Sequence, residues 1–108
     1  MNIRFELQGI CFECDQDKAL LNIQNHGIKF EDACEVFFDP FVKTFDSEIV
    51  DSEPRGKIIG MTENWHVFLV VFTEQYNEIF RLLSARRATS KERKEYEKQS
   101  YKKETENR

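Results

Sequence analysis

Residues 67–72, Val-Phe-Leu-Val-Val-Phe, are six consecutive apolar side chains, and they constrain the fold of this 108-residue chain more than any other stretch. Side chains alternate between the two faces of a strand, so an unbroken apolar run of this length needs cover on both sides. The run therefore belongs at the centre of a sheet. It falls well short of the roughly 18 apolar residues that a membrane-spanning helix requires. A chain of this size supports one modest core, so residues 1–97 read as a single domain. No basic segment followed by an apolar one opens the chain, and the expectation is a protein of the cytoplasm.

The flanking patterns supply the other elements. Ile3, Phe5 and Leu7 share one strand parity and Ile10, Phe12 and Cys14 the other, so the phase flips at Gln8-Gly9, where a bulge or tight hairpin is expected. Asp15 is placed to cap a helix running through Lys18, Ala19, Leu20 and Ile23, which Asn25-His26-Gly27 ends. A second helix is predicted from Phe30, Ala33, Cys34, Phe37 and Phe38, spaced i, i+3, i+4, i+7 and i+8 and stopped at Asp39-Pro40. Residues 41–47 read as a short edge strand, 47–54 as a polar loop, and 57–61 and 79–85 as strands. Turns are expected at Thr62-Glu63-Asn64 and Gln75-Tyr76-Asn77. Thr89 and Glu92 form a T-x-x-E capping box for a last helix. The class is α+β: a mainly antiparallel twisted sheet, two short N-terminal helices and a C-terminal helix. Beyond Tyr96 only Tyr101 is apolar, so residues 98–108 read as a polar helix extension or a frayed tail.

Charge is distributed unevenly. The net charge is −4, yet the segment from Arg81 onward carries ten Lys/Arg against five Glu, a net of +5, and the first 80 residues carry −9. An acidic body with a basic end points to a nucleic acid or to a partner of opposite charge. For the Lys/Glu-rich stretch after Tyr96, a solvated helix laced with i to i+4 pairs is the favoured account. Three cysteines, an odd number, fit reduced thiols. Cys11 and Cys14 form a C-x-x-C, but in an extended segment they point to opposite faces and no neighbouring histidine completes a zinc set, so they read as small core residues.

No phosphate loop, dinucleotide fingerprint, H-E-x-x-H or G-x-S-x-G occurs. His26 and His66 are far apart, so neither a metal site nor a cofactor is expected. What remains is Ser84-Ala85-Arg86-Arg87-Ala88-Thr89, two arginines where a strand meets a capped helix. On a continuing strand they project to opposite faces. Arginine keeps its charge at any working pH, its planar fork matches two phosphate oxygens, and a helix N-terminus adds backbone N–H groups. Pairing with the chain's many carboxylates is the plainer alternative. Trp65 and His66, ahead of the central strand, read as packing residues, Trp65 as a large core or rim aromatic.

Over about 85 residues, 12–97, the chain resembles the BrnT family of type II toxins. The resemblance is carried by Phe12-Glu13-Cys14-Asp15 with Lys18, by Asn22 and His26-Gly27, and by Phe30-Glu31-Asp32-Ala33 running into Val36-Phe37-Phe38-Asp39-Pro40. It continues through Arg55, Ile59-Gly60, Val70-Val71, Thr73-Glu74, Ser84-Ala85-Arg86, Ala88-Thr89, Glu92-Arg93 and Tyr96-Glu97. Cys14 and Gln16 stand where the family usually has Trp and Pro, and residues 1–8 extend its shortest members. The loss of that Trp weakens a base-stacking role at that point.

The resemblance implies a RelE-like fold and metal-independent endoribonuclease activity, in which the RNA 2′-hydroxyl attacks its own phosphate. Such a reaction needs a proton acceptor, a proton donor and cations for the added negative charge. By motif position Arg86 is the first candidate for charge stabilisation and Arg55 the second. His26 titrates in a useful range but sits where an imidazole commonly serves helix-end carbonyls. Tyr96 could donate a proton or anchor its helix to the sheet. Arg81, Arg87, Lys18, Lys91 and Arg93 are candidate RNA contacts, each also readable as a solvated charge. The implied partner is a BrnA-like antitoxin, with operator DNA touched only through it. The competing reading is a catalytically silent module of the same fold, serving as co-repressor or scaffold.

Overall fold

The structure, a computed structural model, describes residues 1–106, with side chains described at all of these except 46, 47, 77 and 99–106. Strands β1 (Asn2–Leu7) and β2 (Ile10–Asp15) form a hairpin in which Leu7 faces Ile10. The phase flip at Gln8-Gly9 is thus a two-residue turn, with φ of 51° and 83°, the left-handed pair that matches strand twist. Helix α1 (Gln16–His26) starts on Asp15, whose carboxylate accepts from the Lys18 N–H at 3.1 Å, and stops at Gly27, φ 68°, whose N–H donates to Ile23 O. Both ends lie where the capping residues put them.

The second helix departs from its expected form. Only Phe30–Ala33 (α2) is α-helical, and Cys34–Phe38 tightens into a 3-10 helix. Phe30, Ala33 and Cys34 are buried, and Phe37 and Phe38 half-buried. At Gly60 a Cβ would stand 2.8 Å from Val36 Cβ and 2.9 Å from Val36 O. Glycine therefore lets this 3-10 turn lie directly on the sheet.

Strands β3 (Lys43–Val50), β4 (Glu53–Met61), β5 (Val67–Gln75) and β6 (Ile79–Arg87) follow, with a 3-10 turn at Tyr76–Glu78, and α3 (Ser90–Glu106) closes the chain. Among the described residues six strands form one sheet in the order β1-β2-β6-β5-β4-β3. All neighbours are antiparallel except β2 and β6. The apolar run lies in β5, in the sheet interior, and β3 is an edge strand. The polar loop expected over 47–54 is instead paired, Glu48 with Arg55 and Val50 with Glu53, around a turn at Asp51-Ser52. Backbone pairing does not require apolar side chains, so composition misread this hairpin. The tail expected beyond Lys98 is helical in backbone to Glu106; its side chains lie outside the described residues.

Each face of the sheet is covered differently. On one side α1, α2 and the 3-10 turn enclose Phe12, Phe30, Val36, Val70 and Leu82, with Phe37 packed edge-on to Phe12 at 5.1 Å and to Phe72 at 5.0 Å. On the other, Tyr96 of α3 covers Ile59, Val67 and Leu69 at one end. The remainder of that second face carries the polar and charged side chains described below.

Candidate active site

Arg86 owes its direction to an irregularity in β6. Register passes from Val71 opposite Ser84 to Phe72 opposite Leu82, which makes Leu83 an extra residue, a β-bulge. Leu82 and Ala85, three apart, both point into the helical-side core. The phase has flipped between them, so Ser84 and Arg86 face the other way. Without the bulge Arg86, four residues from Leu82, would point into that core.

On the open face Arg86 and Ser84 share a hollow of about 480 Å³ with Lys57, Phe45, Val71 and Glu92. Arg86 is held by a bidentate pair, its two terminal nitrogens donating to Glu92 Oε1 at 2.7 Å and Oε2 at 2.9 Å. Glu92 also closes the capping box: Oε1 accepts from Thr89 N–H at 2.9 Å, and Glu92 N–H donates to Thr89 Oγ1 at 3.2 Å. These hydrogen bonds, Arg86's foremost, outweigh burial and pull the Glu92 carboxyl down to about 2, while the Glu92 contact raises the already high pKa of Arg86. Glu92 is therefore a carboxylate at any working pH, too weak a base to take a hydroxyl proton efficiently. Its effect is to fix a permanent cation in the hollow.

Arg55 and Lys57 alternate on β4 and share this face. Lys57 Nζ pairs with Glu48 at 2.8 Å and Arg55 with Glu53 at 3.8 Å. The Arg55 Nε is buried without a partner among the described residues. Further along the face Arg81 is committed to structure: it donates to the buried Glu13 at 2.8 Å and to Asn2 Oδ1, and Arg4 donates to the same Glu13 at 3.2 Å. Burial raises the Glu13 carboxyl, but the two arginines outweigh that and leave it below its ordinary value.

The other candidates are distributed elsewhere. Tyr96 is 4% exposed, and its hydroxyl donates to Asp39 Oδ2, a carboxylate that also accepts the Met61 and Phe41 N–H groups. His26, in the last turn of α1, and Lys18, in its first, are exposed on the helical side, and the sheet separates them from Arg86. Arg87 faces the helical side as well, beside His66 and Asp32. Lys91 is exposed on α3, and Arg93 pairs with Glu97. Trp65, expected as a core or rim aromatic, is 77% exposed at φ 66° in the turn after β4 and belongs to neither core, which corrects the core alternative. Cys14 and Cys34 lie in the core; burial first, then neighbouring carboxylates, raises both thiols, Cys34 to about 12.

Sequence reasoning had passed over Lys57 and Glu92. Lys57 was signalled by its spacing of two from Arg55. Glu92 was recognised as a cap, but its grip on Arg86 depends on a bulge that no local pattern announces.

A strand-borne arginine, oriented by a helix-capping carboxylate on the open face of a small α+β sheet, is a site built for an anion. The family model for "Ribonuclease toxin, BrnT, of type II toxin-antitoxin system" matches residues 14–92, and the chain belongs to that family. Among solved structures it is similar to the 1.1 Å crystal structure of the Brucella abortus ribonuclease toxin BrnT, with 27% identity and a TM-score of 0.57, covering 71% of this chain and 94% of that one. No curated protein matches. Among the described residues no helix is long and apolar enough to cross a membrane.

Proposed function

We propose that this chain is a RelE-like endoribonuclease toxin that cuts RNA without a metal ion, in the hollow around Arg86. The observation that carries the reading is the bidentate Arg86–Glu92 pair on the open sheet face, which holds a guanidinium in fixed orientation where RNA can reach it. The scissile phosphate docks on Arg86, with Lys57 and Arg55 supplying further positive charge. As the 2′-oxygen gives its proton to water and bonds to phosphorus, the bond to the 5′-oxygen breaks and that oxygen takes a proton from water, while these cations stabilise the added negative charge. The products are a 2′,3′-cyclic phosphate and a free 5′-hydroxyl. Tyr96 acts as the anchor between α3 and Asp39, and His26 as a helix-end residue. Arg81 is held by Glu13, and Lys91 and Lys18 contribute only to long-range attraction.

The partner in this reading is a BrnA-like antitoxin that covers the hollow with an acidic segment, and operator DNA is met only through that partner. The test is purified protein on total RNA, with and without EDTA. Cleavage that survives EDTA and falls about 100-fold or more in Arg86→Ala supports the reading, the scale expected for losing one transition-state donor. Intact RNA in every lane with folded protein leaves the co-repressor or scaffold reading in its place.

A further inference from the structure

The turn joining β4 to β5 carries the chain's single tryptophan in a costly position. Trp65 combines 77% exposure with a left-handed backbone, φ 66°, and bulky residues avoid that region. With Arg87, Arg93, His66, Val67 and Ala88 it lines a shallow hollow of about 210 Å³. Arg87 is unlike the other described arginines. Arg4, Arg55, Arg81, Arg86 and Arg93 each have a carboxylate within 4.0 Å, and Arg87 has none among the described residues. The Arg93 partner, Glu97, is a surface residue one helical turn away at 3.0 Å, and exposed pairs of this kind hold weakly. Asp32 and Glu35 line the adjoining hollow beyond His66 and Arg87. Their charge confines an anion to the Arg93 side.

We propose that this hollow is a second RNA-contact site, where an unpaired base stacks on the Trp65 indole and Arg87, aided by Arg93, holds the flanking phosphate. The proposal rests on the ribonuclease reading and extends it to the class of substrate. Every base offers a π-face to an exposed aromatic, whereas a duplex keeps its faces stacked inside, so the ligand is single-stranded and its sequence matters little. Arg86 and Arg87 are consecutive and face opposite sides of the sheet. One strand held at both residues rounds the end of β6, which fixes its path relative to the scissile phosphate.

The lone tryptophan makes the site its own reporter. The full chain is titrated with a short unstructured 2′-O-methyl RNA, which cannot undergo 2′-hydroxyl attack, while tryptophan emission and the polarisation of a labelled copy are followed together. Emission is expected to quench over the concentrations at which polarisation rises. Trp65→Leu and Arg87→Ala should each weaken binding about 10-fold by polarisation, with Trp65→Phe restoring most of the loss. On cleavable RNA, Trp65→Leu should raise KM. Polarisation that saturates with emission unchanged, or Trp65→Leu binding as tightly as the parent, overturns the second site and leaves the ribonuclease reading to the Arg86→Ala test. Emission that responds to an antitoxin and not to RNA assigns the hollow to protein and also overturns the proposal. A parent protein that neither binds nor cuts RNA overturns both.

Discussion

Glu92 serves two structures with one carboxylate: it accepts the Thr89 N–H at the start of α3 and it orients Arg86. Coupling the site to a helix cap links its geometry to folding, and the link is measurable through pH. The carboxyl falls from its ordinary 4.5 to about 2 in the folded chain. A lowered folded-state pKa contributes stability that is fully present above the unfolded value and is lost as pH falls through the folded one. The contribution, on the order of 2 kcal/mol after allowance for solvent screening, should therefore disappear between about pH 4.5 and pH 2. Urea midpoints measured across that interval should fall less steeply for Glu92→Gln than for the parent. Equal slopes would show that the pair does not hold in solution. At neutral pH Glu92→Gln keeps the fold and loosens Arg86, so it should lower the rate of RNA cleavage more than it raises KM.

At the scale of elements, α1 binds the sheet through an asparagine. Leu20, Leu21 and Ile23 are exposed, and the buried residue of the helix is Asn22. Its Nδ2 donates to Ile28 O and its Oδ1 accepts from Ala85 N–H, both at 3.0 Å. Pairing of β2 with β6 ends at Cys14 and Leu82, where β2 hands the chain to α1. The Asn22 side chain supplies the acceptor that β2 no longer offers to Ala85, the residue just before Arg86. Asn22→Ala would leave two buried backbone groups unpaired, at roughly 1–3 kcal/mol each. Denaturation should show a loss of about 2–4 kcal/mol, whereas Leu20→Ala, at an exposed position, should change stability little. Leu20, Leu21 and Ile23 can stay exposed because the helix is fastened by the hydrogen bonds of Asn22. Its caps were legible, since capping depends on residues within one turn. The β3–β4 hairpin was not, because its pairing is decided between strands.

For the whole molecule, the division between a −9 body and a +5 end takes on a spatial meaning. Arg81 and Arg4 neutralise Glu13, and Arg93 pairs with Glu97, so much of the basic end is internally compensated. Arg86, Arg55 and Lys57 on one face are paired in the same way, and Arg87 on the other has no carboxylate within 4.0 Å among the described residues; these are the main cations that the two proposed sites offer to phosphate. Binding through about four cations should give a slope of roughly −3 in log K against log salt for single-stranded RNA. Titrations of the uncleavable oligonucleotide between low and physiological salt would measure it, and a slope near zero would count against phosphate contact. Repulsion from the acidic body limits attraction at longer range, which favours substrate delivered by a larger assembly.

Local chemistry in the chain determined the α+β class, the central strand, both ends of α1, the capping box and the opposite projection of Arg86 and Arg87. Each depends on alternation or on neighbours within a few residues. Tertiary structure decided which face of the sheet each arginine occupies, which carboxylate holds Arg86, and that Trp65 stands in solvent. The arginine faces and the Arg86 partner follow from a one-residue bulge in β6 and from the pairing of β6 with β5. Strand pairing joins residues far apart in sequence, and Arg86 meets Glu92, six residues on, only because the bulge turns it to that face.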